Sequence, residues 1–151
     1  MVIGIDPGKN GGIAFIPSTE GIEPRAVRCP DNPHEMAEII KMAHLIANDH
    51  KEKTFAVLEK VHSMPKQGVV STFSFGMNYG MWKGILAAHK IPWVDITPYK
   101  WQKFYGAMPK EKKSRKHKLK SLALQYYPDL KVNLLTADAI LLAHYHINKN
   151  E

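Results

Sequence analysis

The 151-residue sequence predicts one α/β domain spanning residues 1–151. Three observations carry that expectation. Two apolar runs, Val2–Asp6 and Gly12–Ile16, flank a Pro7-Gly8-Lys9-Asn10-Gly11 turn and read as a hairpin. Thr54–Glu59 is apolar almost without interruption, as in a sheet strand covered on both faces. Between such runs, apolar residues recur at helical spacing.

The elements follow in order. Residues 2–6 and 11–16 form the hairpin, and 24–28 add a third strand. Pro33 opens a helix in which Met36, Ile39, Ile40, Ala43, Ile46 and Ala47 share a face up to about Asn48. The buried strand 54–59 comes next, then a polar loop over 60–70. A helix is expected over about 72–89, a short strand over 91–96, and helices near 98–105, 115–127 and 136–148. Neither repeats nor a long linker divide the chain. In the helix over 72–89, Gly76, Gly80 and Gly84 stack along one side. Each costs about 0.5–1 kcal/mol against alanine in a helix interior. That cost implies a backbone in close approach: the chain's own sheet in the simpler reading, a partner helix at a dimer interface in the sharper one.

Composition narrows the function. At 44% hydrophobic residues the chain has enough apolar material for a core. Without a run of about 20 apolar residues, a soluble, cytoplasmic protein with no membrane association is expected. The single cysteine, Cys29, excludes an intrachain disulfide and a cysteine zinc cluster, and reads as a bystander thiol. The formal net charge of +7 is local. Nine basic residues, Lys100, Lys103, Lys110, Lys112, Lys113, Arg115, Lys116, Lys118 and Lys120, face the single acid Glu111 within 100–120. Tyr99, Trp101, Phe104 and Tyr105 lie beside them. A basic segment interleaved with aromatics suits nucleic acid, although a solvated lysine-rich loop has the same composition.

Three acids bear the chemistry. Asp6 and Glu59 each end an apolar strand, and Asp138 stands at the start of the apolar run 136–143. A buried, unpaired carboxylate costs several kcal/mol. Turn formation would account for Asp6 alone, and helix capping, with Thr136 as the cap, for Asp138 alone. Together they suggest oxygen ligands for Mg²⁺ or Mn²⁺, placed to promote water attack on a phosphodiester held by the basic segment.

The residues then resemble a known family. Ile3-Gly4-Ile5-Asp6-Pro7-Gly8, Gly11-Gly12-Ile13-Ala14, Leu58-Glu59-Lys60-Val61 and Ala137-Asp138-Ala139 look like the RuvC-type Holliday junction resolvases of the RNase H superfamily. The stretch from Glu59 through His62-Ser63-Met64-Pro65-Lys66-Gln67-Gly68 to Phe75-Gly76 and Tyr79-Gly80, followed by Thr97–Trp101 and Lys120–Ala123 through Tyr127-Pro128, is closest to the bacteriophage and chloroplast branch. The resemblance spans nearly the whole chain. It implies an RNase H-like fold with a mixed five-stranded sheet flanked by helices, and a homodimer presenting two sites to a four-way DNA junction. It implies metal held by Asp6, Glu59 and Asp138, with Mg²⁺ as cofactor and Mn²⁺ also effective. Paired nicks leaving 5′-phosphate ends follow. The DNA contacts expected are His62, Lys66, Phe73, Phe75, Lys100, Lys113, Lys116 and Lys118, with a host-cell cytoplasmic location if the gene belongs to a phage. One departure stands out. The family commonly has Asp or His three or four residues before the helix acid, where this chain has Leu135 and Leu134, and Asn133 is a poor substitute. Two other readings keep the same residues: an RNase H-type nuclease for RNA–DNA hybrids or structured RNA, and a non-catalytic junction-binding protein.

Overall fold

The computed structural model describes residues 1–60 and 68–149. Five strands, β1 (Val2–Asp6), β2 (Gly12–Ile16), β3 (Arg25–Arg28), β4 (Phe55–Glu59) and β5 (Trp93–Ile96), form a mixed sheet in the order β3-β2-β1-β4-β5. The hairpin pairs antiparallel, β3 extends it antiparallel, and β4 and β5 join parallel. The central strand β1 is therefore antiparallel to one neighbour and parallel to the other.

Side-chain alternation sends successive strand residues to opposite faces. Ile3, Ile5, Ala56 and Leu58 face one layer, where α1 (Pro33–Asp49) adds Met36 and Ile40 and α2 (Val69–Ala88) adds Trp82 and Leu86. Val57 and Ile96 face the other, packed by Trp101 of α3 (Pro98–Phe104), Leu119 and Ala123 of α4 (Lys112–Tyr126), and Ile140 and Leu141 of α5 (Ala137–Asn148). Burial on both faces explains the continuous apolarity of β4.

α5 crosses the sheet at very short range, and Gly4 permits it. A Cβ on Gly4 would stand 2.0 Å from the Ala139 carbonyl oxygen and 3.0 Å from the Ala143 nitrogen. One residue type thus decides how close the helix bearing Asp138 lies to the strand bearing Asp6.

Several boundaries differ from the sequence-based expectation, for local reasons. α4 starts at Lys112, three residues early, because the Glu111 carboxylate accepts the Lys113 and Ser114 amides at 2.8 and 2.6 Å. The lysine-rich segment is accordingly helical over most of its length. α2 starts at Val69 with Gly68 as its cap residue, without a side-chain cap. Thr136 does not cap α5 through its side chain: its hydroxyl accepts the Asn133 amide at 3.1 Å.

The glycine stripe of α2 corrects a further expectation. Among the described residues, a Cβ on Gly76, Gly80 or Gly84 would meet nothing within 4 Å, so the chain's own sheet is not the approaching backbone. The same side of α2 exposes Val69, Val70, Phe73 and Met77. Trp82 and Leu86 are the residues that α2 commits to the core.

Candidate metal and nucleic-acid site

β1 and β4 are parallel neighbours, and their register runs from Val2 opposite Phe55 to Ile5 opposite Leu58. One step further on, Asp6 and Glu59 end adjacent strands at the same edge, where neighbouring strands lie about 4.8 Å apart. Alternation turns both toward the α5 layer. Asp138, in the first turn of α5, meets them there. The carboxyl edge of a parallel pair is where open α/β sheets present their ligand sites.

The cleft so formed has a volume of about 920 Å³, with Asp6, Glu59 and Asp138 among its walls. Asp6 is 9% exposed and Asp138 5%. Burial, and then the neighbouring Glu59 and Asp138 charges, push the Asp6 carboxyl well above the ordinary carboxylate range, against the pull of Lys116. Burial likewise pushes Glu59 up to about 7, although the Trp101 indole N–H donates to its Oε2 at 2.7 Å and favours the anion.

A lysine from the basic helix enters this acidic centre. Lys116 Nζ stands 2.5 Å from Asp138 Oδ2 and 4.0 Å from Asp6 Oδ2. Burial works to lower its pKa, but Asp138, Asp6 and Glu59 together hold it above the usual lysine range. Lys116 thus holds Asp138 and attracts Asp6, while Trp101 holds Glu59. Among the described residues, no three His, Cys, Asp or Glu side chains are gathered tightly enough to share an ion in this arrangement. The donor set still fits a hard cation. It is all oxygen, and Asp138 Oδ1 is buried without a hydrogen-bond partner.

The turn after Asp6 is pinned from two sides. The Gly8 amide donates to Asn78 Oδ1 of α2 at 2.9 Å, and the Cys29 thiol donates to the Asp6 carbonyl at 3.2 Å. Gly8 has φ +111°, and a Cβ there would lie 2.6 Å from the Phe75 ring. Buried Cys29 thus supports the backbone, and its thiol is pushed far above its usual pKa by burial.

The other expected nucleic-acid contacts are distributed unevenly. Phe75 lines the cleft, and Phe73 is 71% exposed on α2. Lys100 and Lys113 are exposed outside the cleft lining, and Lys118 donates to the Ala107 carbonyl at 2.7 Å. His62 and Lys66 lie outside the described residues. The cleft's basic lining consists of Lys9, Lys112, Arg115 and Lys116. Of these, Lys9 was not singled out from the sequence, because it lies far from the basic run; its place in the turn after Asp6 was the available signal. Trp101 and Asn78 were also missed as partners of the site, since an indole and an amide show no pattern along the chain. Leu134 and Leu135 line the cleft four and three residues before Asp138, and neither can coordinate a metal. Asn133 is committed elsewhere, with Oδ1 accepting the Leu135 and Thr136 amides at 2.8 and 3.1 Å. His144 belongs to an aromatic group with Tyr126 and Tyr127, away from the acids.

Solved structures share this architecture. Thermus thermophilus RuvC aligns with TM-score 0.59 and 14% identity over 97% of this chain and 92% of its own. The same protein in complex with a Holliday junction substrate aligns with TM-score 0.59 and 16% identity, covering 97% and 91%. A yeast mitochondrial Holliday junction resolvase, Ydc2, aligns more weakly, with TM-score 0.45, 13% identity, and coverage of 95% and 74%. No protein-family model matches the sequence, and no curated protein sequence does. The likeness defines an RNase H-like α/β fold. Among the described residues, no helix is long and apolar enough to cross a membrane.

The raised carboxyls make a measurable prediction for the metal-free protein. An unfolded glutamate releases its proton near pH 4.5, whereas folded Glu59 keeps it to about 7. Across that window the native state binds more protons than the unfolded one, so stability is greatest below it and falls as pH rises. Asp6 adds in the same direction. Melting temperature in EDTA should therefore drop between pH 4.5 and about 7, and Glu59→Gln should flatten the drop.

Proposed function

We propose that this chain is a divalent-metal-dependent endonuclease that resolves four-way and other branched DNA junctions. Paired phosphodiester hydrolysis would leave 5′-phosphate ends. The observation that carries the reading is the convergence of Asp6, Glu59 and Asp138 in one cleft whose basic lining is Lys9, Lys112, Arg115 and Lys116. Such a site receives a polyanion at its rim and works on a phosphate at its floor. Mg²⁺, with Mn²⁺ as a substitute, is the cofactor that suits these ligands; once bound it activates water and stabilises the departing oxygen. Asp6, Glu59 and Asp138 hold the ion, and Trp101 orients Glu59. Lys9 and Lys112 bind backbone phosphates. The Asn78 contact fixes the Asp6 turn so that its carboxylate keeps its place.

A gel comparing linear, forked and four-way DNA with an RNA–DNA hybrid, in Mg²⁺ and in Mn²⁺, tests the reading. Symmetric nicks in the four-way substrate are expected. Preferential cutting of the hybrid would move the protein to another RNase H-type activity. Tight junction binding without nicks under either ion would make it a binder only, a reading favoured by the spread of the acids around Lys116 and by Leu134 and Leu135. Junction affinity should also fall steeply with salt. Changing Lys9 and Lys112 together to Ala should reduce the slope of log affinity against log salt by about 2.

A homodimer completes the proposal. α2 presents an apolar face of Val69, Val70, Phe73 and Met77, and three glycines open to solvent run beside it. Its one charged residue, Lys83, lies three residues after Gly80 and pairs with Asp95 at 2.8 Å. A largely apolar face with glycines along its ridge, and its single lysine already neutralised by Asp95, suits a two-fold helix pair at close range. A Cβ at Gly80 meets nothing within 4 Å among the described residues, so Gly80→Leu should leave the fold intact and shift the dimer toward monomer in light scattering. An unchanged dimer would exclude this face. The similarity of residues 59–80 to the phage branch supports a phage origin and a host-cytoplasmic setting.

A further inference from the structure

We propose that the site takes one divalent cation per chain, with the Lys116 ammonium serving as a built-in second cation. The inference rests on the nuclease reading above and specifies its metal content.

The first argument is charge. Once ionised around a cation, the three carboxylates and the one ammonium leave two negative charges, which one divalent ion balances. A second divalent ion would leave the cleft floor positive. Only ligands able to add negative charge would offset that, and among the described residues the neighbouring wall offers no unpaired one. Leu134 and Leu135 line it. Asn133, the nearest polar side chain before them, spends its Oδ1 on the Leu135 and Thr136 amides. Asp31, also on the cleft wall, pairs with Arg28 at 3.1 Å.

The second argument is position. Lys116 occupies the space between two of the acids, 2.5 Å from Asp138 Oδ2 and 4.0 Å from Asp6 Oδ2. It is not a rim lysine that happens to reach inward. Its side chain is 30% exposed, and the carboxylates it faces are 7% and 13% exposed. Leu119 and Ala123, one and two turns further along α4, are buried against α5 and fix the backbone that carries it. The remaining Asp138 oxygen, Oδ1, is buried and without a partner. One oxygen of Asp138 thus serves the lysine, and the other is left without a partner, as a ligand atom for an ion would be.

The test is a Mn²⁺ titration of the full chain without DNA, by calorimetry with the bound ion counted by electron paramagnetic resonance. The unaltered protein should bind one Mn²⁺ per chain. Lys116→Met should bind the ion at least about tenfold more tightly, because a positive charge a few ångströms away no longer opposes it. Two ions per unaltered chain, or an affinity unchanged or weakened in Lys116→Met, would overturn the inference while leaving the metal-site reading in place. No Mn²⁺ binding by the unaltered chain would instead remove that reading. Because the stoichiometry is read on the unaltered protein, an unstable variant does not block the decision.

Discussion

Asp6→Asn and Glu59→Gln are each expected to reduce junction cleavage by roughly 10³-fold or more, with junction binding unchanged or tighter. Each substitution keeps the shape of the side chain and removes one negative charge from the ligand set. Binding depends on the basic rim, which the substitutions leave alone, and loss of a negative charge beside a phosphate favours DNA if anything. Folding should not suffer. Burial and like charges already hold the Asp6 carboxyl well above its ordinary range, so a neutral amide relieves strain in the metal-free state. Single-turnover cleavage with a filter-binding or gel-shift titration checks both halves. Retained cleavage in either variant removes the metal-site argument, and lost binding together with a lower melting temperature would show that the acids are structural.

Gly4→Ala should destabilise the protein by about 3–5 kcal/mol. The added methyl would lie 2.0 Å from the Ala139 carbonyl oxygen, and backbone cannot swing aside as a flexible side chain can. β1 has no freedom to yield, since it pairs with β2 on one side and β4 on the other. The clash must instead lift α5 from the sheet. That would open the core around Ile140 and Leu141 and carry Asp138 away from Asp6. Denaturant unfolding measures the first effect, and metal-induced thermal stabilisation the second. A variant with near-normal stability and a normal metal response would show that the close approach of α5 does not set the site.

The ion pair of Lys116 bears on both predictions. A buried pair contributes little net stability when intact, but leaves an uncompensated charge when one partner goes. Lys116 therefore makes the metal-free acidic cluster tolerable during folding. The same ammonium lies between Asp138 and Asp6, so one residue joins the basic helix to the acidic floor.

Much of this was legible along the chain. Apolar runs, turn residues and helical spacing placed the five strands and five helices of the described residues near their observed positions, because strands and helices bury side chains at different repeats. Asp6 and Glu59 stood out because each interrupts an apolar run at its end, and Asp138 because it opens an apolar helix. Other features had no linear signature. The nine basic residues of 100–120 look equivalent in sequence, and only the packing of α4 on α5 turns Lys116 inward while leaving Lys113 exposed. The glycines at 76, 80 and 84 announce a close approach, but the approaching backbone is decided by whatever lies opposite them, and among the described residues nothing does. Thr136 looks like a helix cap until the preceding turn claims its hydroxyl. Local chemistry thus specified the elements and the candidate ligands, since burial and hydrogen-bonding preferences act over a few residues. Which charge meets which across 22 or more residues depended on the tertiary fold, because Coulomb forces in a buried cleft act through space and not along the chain.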